Sequence, residues 1–202
     1  MIMARTNSQR VESFLRRKGL VRSGDLESKG ISRSELQRLH ERGVIERVGR
    51  GIYGLPGTVL TEYHSLAEAT QLVPSGVICL LTALRFHGLT TQNPFEVWMA
   101  IDAKAWRPVK RGLKLRIVHL SGASFREGVE EHDVAGVRIH VYSAAKTVAD
   151  CFKFRNKIGI DVAVEALKDF TRFHRGGAND LARFARISRV SRVMQPYLDA
   201  IA

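Results

Sequence analysis

Apolar positions in the first quarter of the chain recur at helical spacing. In SQRVESFLRRKG, Val11, Phe14 and Leu15 share one face, Leu20 adds a fourth contact, and Gly19 offers a stop. In VRSGDLESKG, Ser23 can cap a short helix carrying Leu26, and Gly30 can end it in the left-handed conformation. In ISRSELQRLHERG, Ser32 and Glu35 form the S-x-x-E capping box. Leu36 and Leu39 then point inward, Ile31 can staple the start, and Gly43 ends the helix. The outer side of this second helix carries Arg33, Ser34, Gln37 and Arg38. An apolar seam with hydrogen-bonding side chains at an exposed N-terminal end is what a helix-turn-helix needs.

The stretch VIERVGRGIYGLPG follows, and Gly49, Gly51 and Gly54 match G-x-G-x-x-G. A dinucleotide site requires a helix to open within that loop, so that its N-terminus meets the pyrophosphate. Ile52 and Tyr53 are strand formers instead, and Pro56-Gly57 breaks any helix. The glycines therefore predict a strand–turn–strand, with Gly49 and Gly51 allowing positive φ. A hairpin directly after a helix-turn-helix is a wing. Arg50 sits at its tip, within reach of a phosphate or the minor groove.

LPGTVL reads as a linker, giving a first domain over residues 1–57 and a second over 58–202. In the second, EYHSLAEATQLV predicts a helix ended by Pro74, and SGVICLLTALRFHGL a buried apolar helix ended by Gly88. FEVWMAI and LKLRIVHL predict strands, with the basic loop DAKAWRPVKRG between them. VEEHDVAGVRIHVY predicts a hairpin around Ala135-Gly136. Ser143 caps the next helix, and IDVAVEALKDF and ANDLARFARISRVSRVMQPYLDAI complete a helical end. The fold class expected is α+β: an N-terminal winged helix-turn-helix and a larger mixed α/β domain.

Charge sharpens the picture. The 202 residues carry 32 Lys and Arg against 20 Asp and Glu. Residues 1–57 alone hold 12 basic against 6 acidic residues, so about a quarter of the chain carries half the net charge. A polyanionic partner, nucleic acid before membrane, follows. Cys79 and Cys151 sit in apolar surroundings and read as buried free thiols of a reducing compartment. The chain contains no apolar run of membrane-spanning length, and MIMARTNSQR lacks a signal-peptide core, so a cytoplasmic location is expected.

Catalytic motifs are sparse in the chain. Ser143-Ala144-Ala145-Lys146 matches S-x-x-K, but the S-D-N and K-T-G elements that accompany it in serine acylases are missing, so Ser143 reads as a cap and Lys146 as solvated. The seven histidines show no metal spacing, and neither a P-loop nor a nucleophile elbow occurs; no metal and no cofactor are expected. His87 reads as a helix-end residue, where a cation or a carbonyl contact is favourable. Asp102, Asp150 and Glu165 could meet in space, which leaves a nucleic-acid-processing enzyme docked by its winged helix as the alternative function. A pure protein-binding role for the second domain is a third reading. Two further basic features could touch nucleic acid or an acidic protein. One is the loop with Lys104, Trp106, Arg107, Lys110 and Arg111. The other is Arg183, Arg186, Arg189 and Arg192, whose three-residue spacing would make a stripe on a helix.

The stretches GLVRSGDLESKGISRSELQRLHERGVIERVGRGIYGLPG, SGVICLLTALRFHGL and YSAAKTVADCFKFRNKIGIDVAVEALKDF resemble, in this order and spacing, the AbiEi family. Its members are antitoxins of type IV toxin–antitoxin systems associated with abortive infection. The resemblance implies a transcriptional repressor that binds inverted repeats in the promoter of its own operon. It also implies a nucleotidyltransferase-like toxin as functional partner, opposed without a stable complex being required. The helix SRSELQRLHERG maps onto the family's recognition helix by position. Arg33, Ser34, Gln37 and Arg38 are then the expected major-groove contacts, Arg22 and Ser23 phosphate contacts, and Arg50 the wing contact.

Overall fold

The computed structural model describes residues 6–18, 20–49, 51–56, 62–106, 113–134 and 137–201. The chain divides into two compact units, Met1–Gln71 with Asp133–Ile139, and Leu72–His132 with His140–Ala202.

The first unit begins with helix α1 (Asn7–Lys18), whose Val11 and Leu15 are buried and whose Phe14 packs at their margin. Strand β1 (Leu20–Arg22) follows, so Leu20 belongs to a strand and does not extend the helical face. The reason is a ladder: Leu20, Val21 and Arg22 pair with Gly54, Tyr53 and Ile52, which satisfies backbone groups a frayed helix end would leave open. Helix α2 (Ser23–Glu27) and helix α3 (Arg33–Glu41) are joined by a turn closed at Gly30, at φ 80°. Strands β2 (Glu46–Gly49) and β3 (Ile52–Gly54) complete an antiparallel sheet of order β1-β3-β2. Val11, Leu15, Leu26, Ile31, Leu36, Leu39, Ile45 and Tyr53 form one core. Full burial of Leu26 or Leu36 contributes about 1.5–3 kcal/mol each, and both hold the helix pair to this core while the polar side of α3 stays exposed. This is a winged helix-turn-helix.

Helix α4 (Glu62–Leu72) precedes the second unit. There, strand β4 (Val77–Ile78) and helix α5 (Leu80–Phe86) divide the segment that its continuous apolarity predicts to be one helix. Ile78 pairs with Met99 on one side and Val141 on the other, at the centre of a sheet. A short apolar run has the same composition in a buried strand as in a buried helix, and only sheet pairing decides between them. Strands β5 (Val97–Asp102) and β6 (Leu115–Leu120) run parallel, helix α6 (Ala123–Arg126) follows, and β7 (Val129–Val134) and β8 (Val137–Tyr142) close a sheet of order β6-β5-β4-β8-β7. The Ala135-Gly136 turn lies outside the described residues.

Helix α7 (Ala144–Lys153) is buried from Ala144 to Phe152 and is the spine of the helical layer. Helices α8 (Arg155–Ile158), α9 (Ile160–Phe173), α10 (Ala178–Ile187) and α11 (Ser191–Ile201) follow it. Trp98, Tyr142, Phe152, Leu167, Phe184 and Met194 belong to one core. Cys79 and Cys151 are free and fully buried within it, and burial pushes both thiols up. Among the described residues, no helix is long and apolar enough to cross a membrane.

Candidate nucleic-acid interface

Helix α3 presents the face that its sequence predicts. Ser32 is its N-cap, its Oγ accepting from the Glu35 backbone N–H at 3.3 Å. Ile31 and Leu36 share the core, as a staple requires. The reciprocal half of the capping box is replaced: the Glu35 carboxylate turns to Arg38, whose Nη1 donates to it at 2.9 Å.

Every candidate on this face is engaged by a neighbour. Arg33, 80% exposed, forms an ion pair with Glu27 across the turn, and that carboxylate raises the guanidinium's pKa. Ser34 and Ser32 hydroxyls lie 2.9 Å apart. Gln37 donates to Glu41 one turn later at 2.9 Å. Arg38 is 58% exposed. One carboxylate holds Arg33 to the preceding helix and the other holds Arg38 to its own. These pairs are exposed to water and weak.

The partners also redistribute the charge. Residues 23–42 hold four Lys and Arg against four Asp and Glu, whereas residues 1–22 hold six against one. The excess positive charge therefore lies in the segment that precedes the helix pair, where Arg16 is exposed near the end of α1. The local pairs were visible as i,i+3 and i,i+4 spacings. Glu27 with Arg33, across a turn, was not.

Arg22 ends β1 and is the N-cap residue of α2, without a side-chain cap bond, so the cap falls one residue before the predicted Ser23. Ser23 opens the helix, and its backbone N–H donates to the Gly51 carbonyl at 2.8 Å, fixing the wing turn to the start of α2. Gly51 has φ 73°, and a Cβ placed there would lie 3.2 Å from Ser23 Oγ. Among the G-x-G-x-x-G glycines, Gly51 makes the turn and Gly54 is a ladder residue. The wing tip, Arg50, lies outside the described residues.

The other predicted basic contacts scatter. Lys104 lies in a turn in which its backbone N–H donates to Asp102 at 2.9 Å, and Trp106 is 96% exposed. Arg107, Lys110 and Arg111 lie outside the described residues. The arginine stripe is broken. Arg183 and Arg186 lie on α10, Arg189 occupies the connection at φ 60°, and Arg192 lies on α11. Ser188, the C-cap of α10, is buried against Asp150, and Val190 and Met194 beyond it belong to the core.

Ser143 caps α7, accepting from the Lys146 backbone N–H at 3.4 Å. Lys146, predicted solvated, is fully buried. Its ammonium is paired with Asp150 and lies 4.5 Å from the centre of the Tyr142 ring, and Ser188 Oγ donates to the other Asp150 oxygen at 2.6 Å. Asp150 is thus consumed by internal partners, while Asp102 receives Lys104 and Glu165 accepts from Thr91 at 3.4 Å. The three carboxylates do not gather, and no cluster of metal-ligating side chains occurs among the described residues. His87 contacts the Tyr142 carbonyl through Nε2 at 2.7 Å, and burial lowers its pKa.

Residues 9–56, nearly the whole winged helix-turn-helix, match a family described as transcriptional regulators, AbiEi antitoxin, the family the sequence resembles. No curated protein matches the chain significantly.

Proposed function

We propose that this AbiEi-type antitoxin regulator binds double-stranded DNA through α3 and represses its own operon, acting as the antitoxin of a type IV system. One observation carries the reading: α3 buries Leu36 and Leu39 while its opposite side offers Arg33, Ser34, Gln37 and Arg38 to solvent. In the major groove, Arg33 or Arg38 would read guanine and Gln37 adenine. Arg22 and the Ser23 hydroxyl would meet phosphate beside α2, Arg50 would contact DNA from the wing, and the basic residues of α1 would add sequence-independent attraction. That residues 23–42 are neutral overall and the preceding segment basic suits this division, since phosphates lie beside the groove and base edges inside it. The functional partner is a nucleotidyltransferase-like toxin, opposed without obligatory contact. Lys104, Arg107, Lys110, Arg111, Arg183, Arg186, Arg189 and Arg192 are secondary contacts at most, because the described ones share no continuous helical face.

Fluorescence anisotropy on a duplex from the region upstream of the gene tests the proposal. Tight binding there, at least about a thousandfold weaker on a scrambled duplex, is expected at physiological salt. Equal affinity for both duplexes would refute sequence-specific repression.

A further inference from the structure

Helices α9, α10 and α11 enclose an open groove of about 510 Å³. Phe170, Leu181, Ala185 and Met194 form its buried apolar floor. At the α9 end, the His174 ring stacks on Phe170 with centroids 4.8 Å apart. None of the lining residues is acidic, and two are arginines. Arg175 lies in the turn before α10 and Arg186 in its last turn. Arg186 lies eight residues, about 12 Å, beyond Ala178 at the start of α10, and Arg175 precedes that start, so the two cations belong to the two ends of the helix. Neither guanidinium has an acidic partner among the described residues, whereas Arg183, on the same helix, is held by Glu127.

We propose that this groove docks an acidic amphipathic helix of a partner protein. Its apolar side chains would cover the floor, and two carboxylates would meet Arg175 and Arg186. The acid-free lining, with one cation at each end of α10, selects this occupant. One carboxylate on a small amphiphile satisfies only one arginine, whereas acidic residues about eleven apart on a helix lie on one face about 16 Å apart. Helix-in-groove recognition needs this combination of apolar anchors and charged ends.

The test uses the full chain and a fluorescein-labelled synthetic helix with leucines on one face between two glutamates eleven residues apart. A second peptide carries lysines in place of the glutamates. Saturable binding with Kd of about 10 µM is expected for the first, and at least about tenfold weaker binding for the second. Arg175→Ala with Arg186→Ala should erase that preference. Ala182→Glu, a substitution at an exposed groove position, should abolish binding without changing the melting curve. Absence of saturable binding, equal binding of both peptides, or binding indifferent to Ala182→Glu would overturn the proposal. Dodecanoate displacing the glutamate peptide at lower concentration would assign the groove to a small amphiphile instead. DNA binding plays no part in this assay, so the result stands apart from the operator reading.

Discussion

The Lys146–Asp150 pair is a direct test of how the second unit is held together. Lys146→Met keeps most of the side-chain stem against Tyr142 and removes only the ammonium. Asp150 then retains a single partner, Ser188 Oγ at 2.6 Å, inside a core where it is 1% exposed. Removing one member of a buried pair costs about 3–5 kcal/mol, because the other charge is left uncompensated. Lys146→Met with Asp150→Asn removes both charges and keeps the acceptor for Ser188. The amide NH2 group remains unpartnered, at about 1–3 kcal/mol. The double variant should therefore recover about 2 kcal/mol relative to Lys146→Met alone. The protein has two tryptophans, Trp98 and Trp106, both in the second unit, so urea denaturation followed by their fluorescence reports this unit selectively. With a slope of about 2 kcal/mol per molar urea, the single substitution should lower the midpoint by about 2 M and the double by about 1 M. A loss below about 1 kcal/mol in the single variant, or a double variant as unstable as the sum of both single ones, would refute the pairing argument.

Arg38→Ala should weaken binding to the upstream duplex by about 1–3 kcal/mol while leaving scrambled-duplex affinity nearly unchanged, as titration of both will show. Glu35→Gln should act oppositely, raising scrambled-duplex affinity about 2- to 5-fold by removing the carboxylate that pairs with Arg38; unaltered non-specific binding would refute that neutralising role. Gly51→Ala imposes a left-handed φ of 73° on a residue with a Cβ and crowds Ser23, so a loss of about 1–2 kcal/mol is expected in thermal melts followed by circular dichroism. His87 holds a pKa below its unfolded value of about 6.5, so the unfolded chain binds the proton more readily and stability falls as pH drops below about 6.5. Comparing midpoints at pH 7.5 and 5.5, His87→Gln should show a smaller decline than the parent protein.

Much of the first unit was legible because its determinants are local. The Ser32 cap, the Gly30 and Gly43 stops and the Leu36–Leu39 seam each act within one or two helical turns, and each holds in the structure. The wing reading of Gly51 rested equally on neighbours, the strand formers Ile52 and Tyr53 and the breaker Pro56. What tertiary structure decided were the pairings across distance. Strand β1 has three residues and no periodicity of its own; β3, about thirty positions later, makes it a strand. The apolar run around Cys79 became strand and helix because Met99 and Val141 flank Ile78. Lys146 carries a side chain that belongs in water by composition. Asp150 and Ser188, the latter contributed by the far end of α10, supply the charge and hydrogen bonds that make its burial tolerable. Cap, turn and amphipathic signals are written within a few residues, whereas ladder partners and the solvation of a charge depend on segments that only folding brings together.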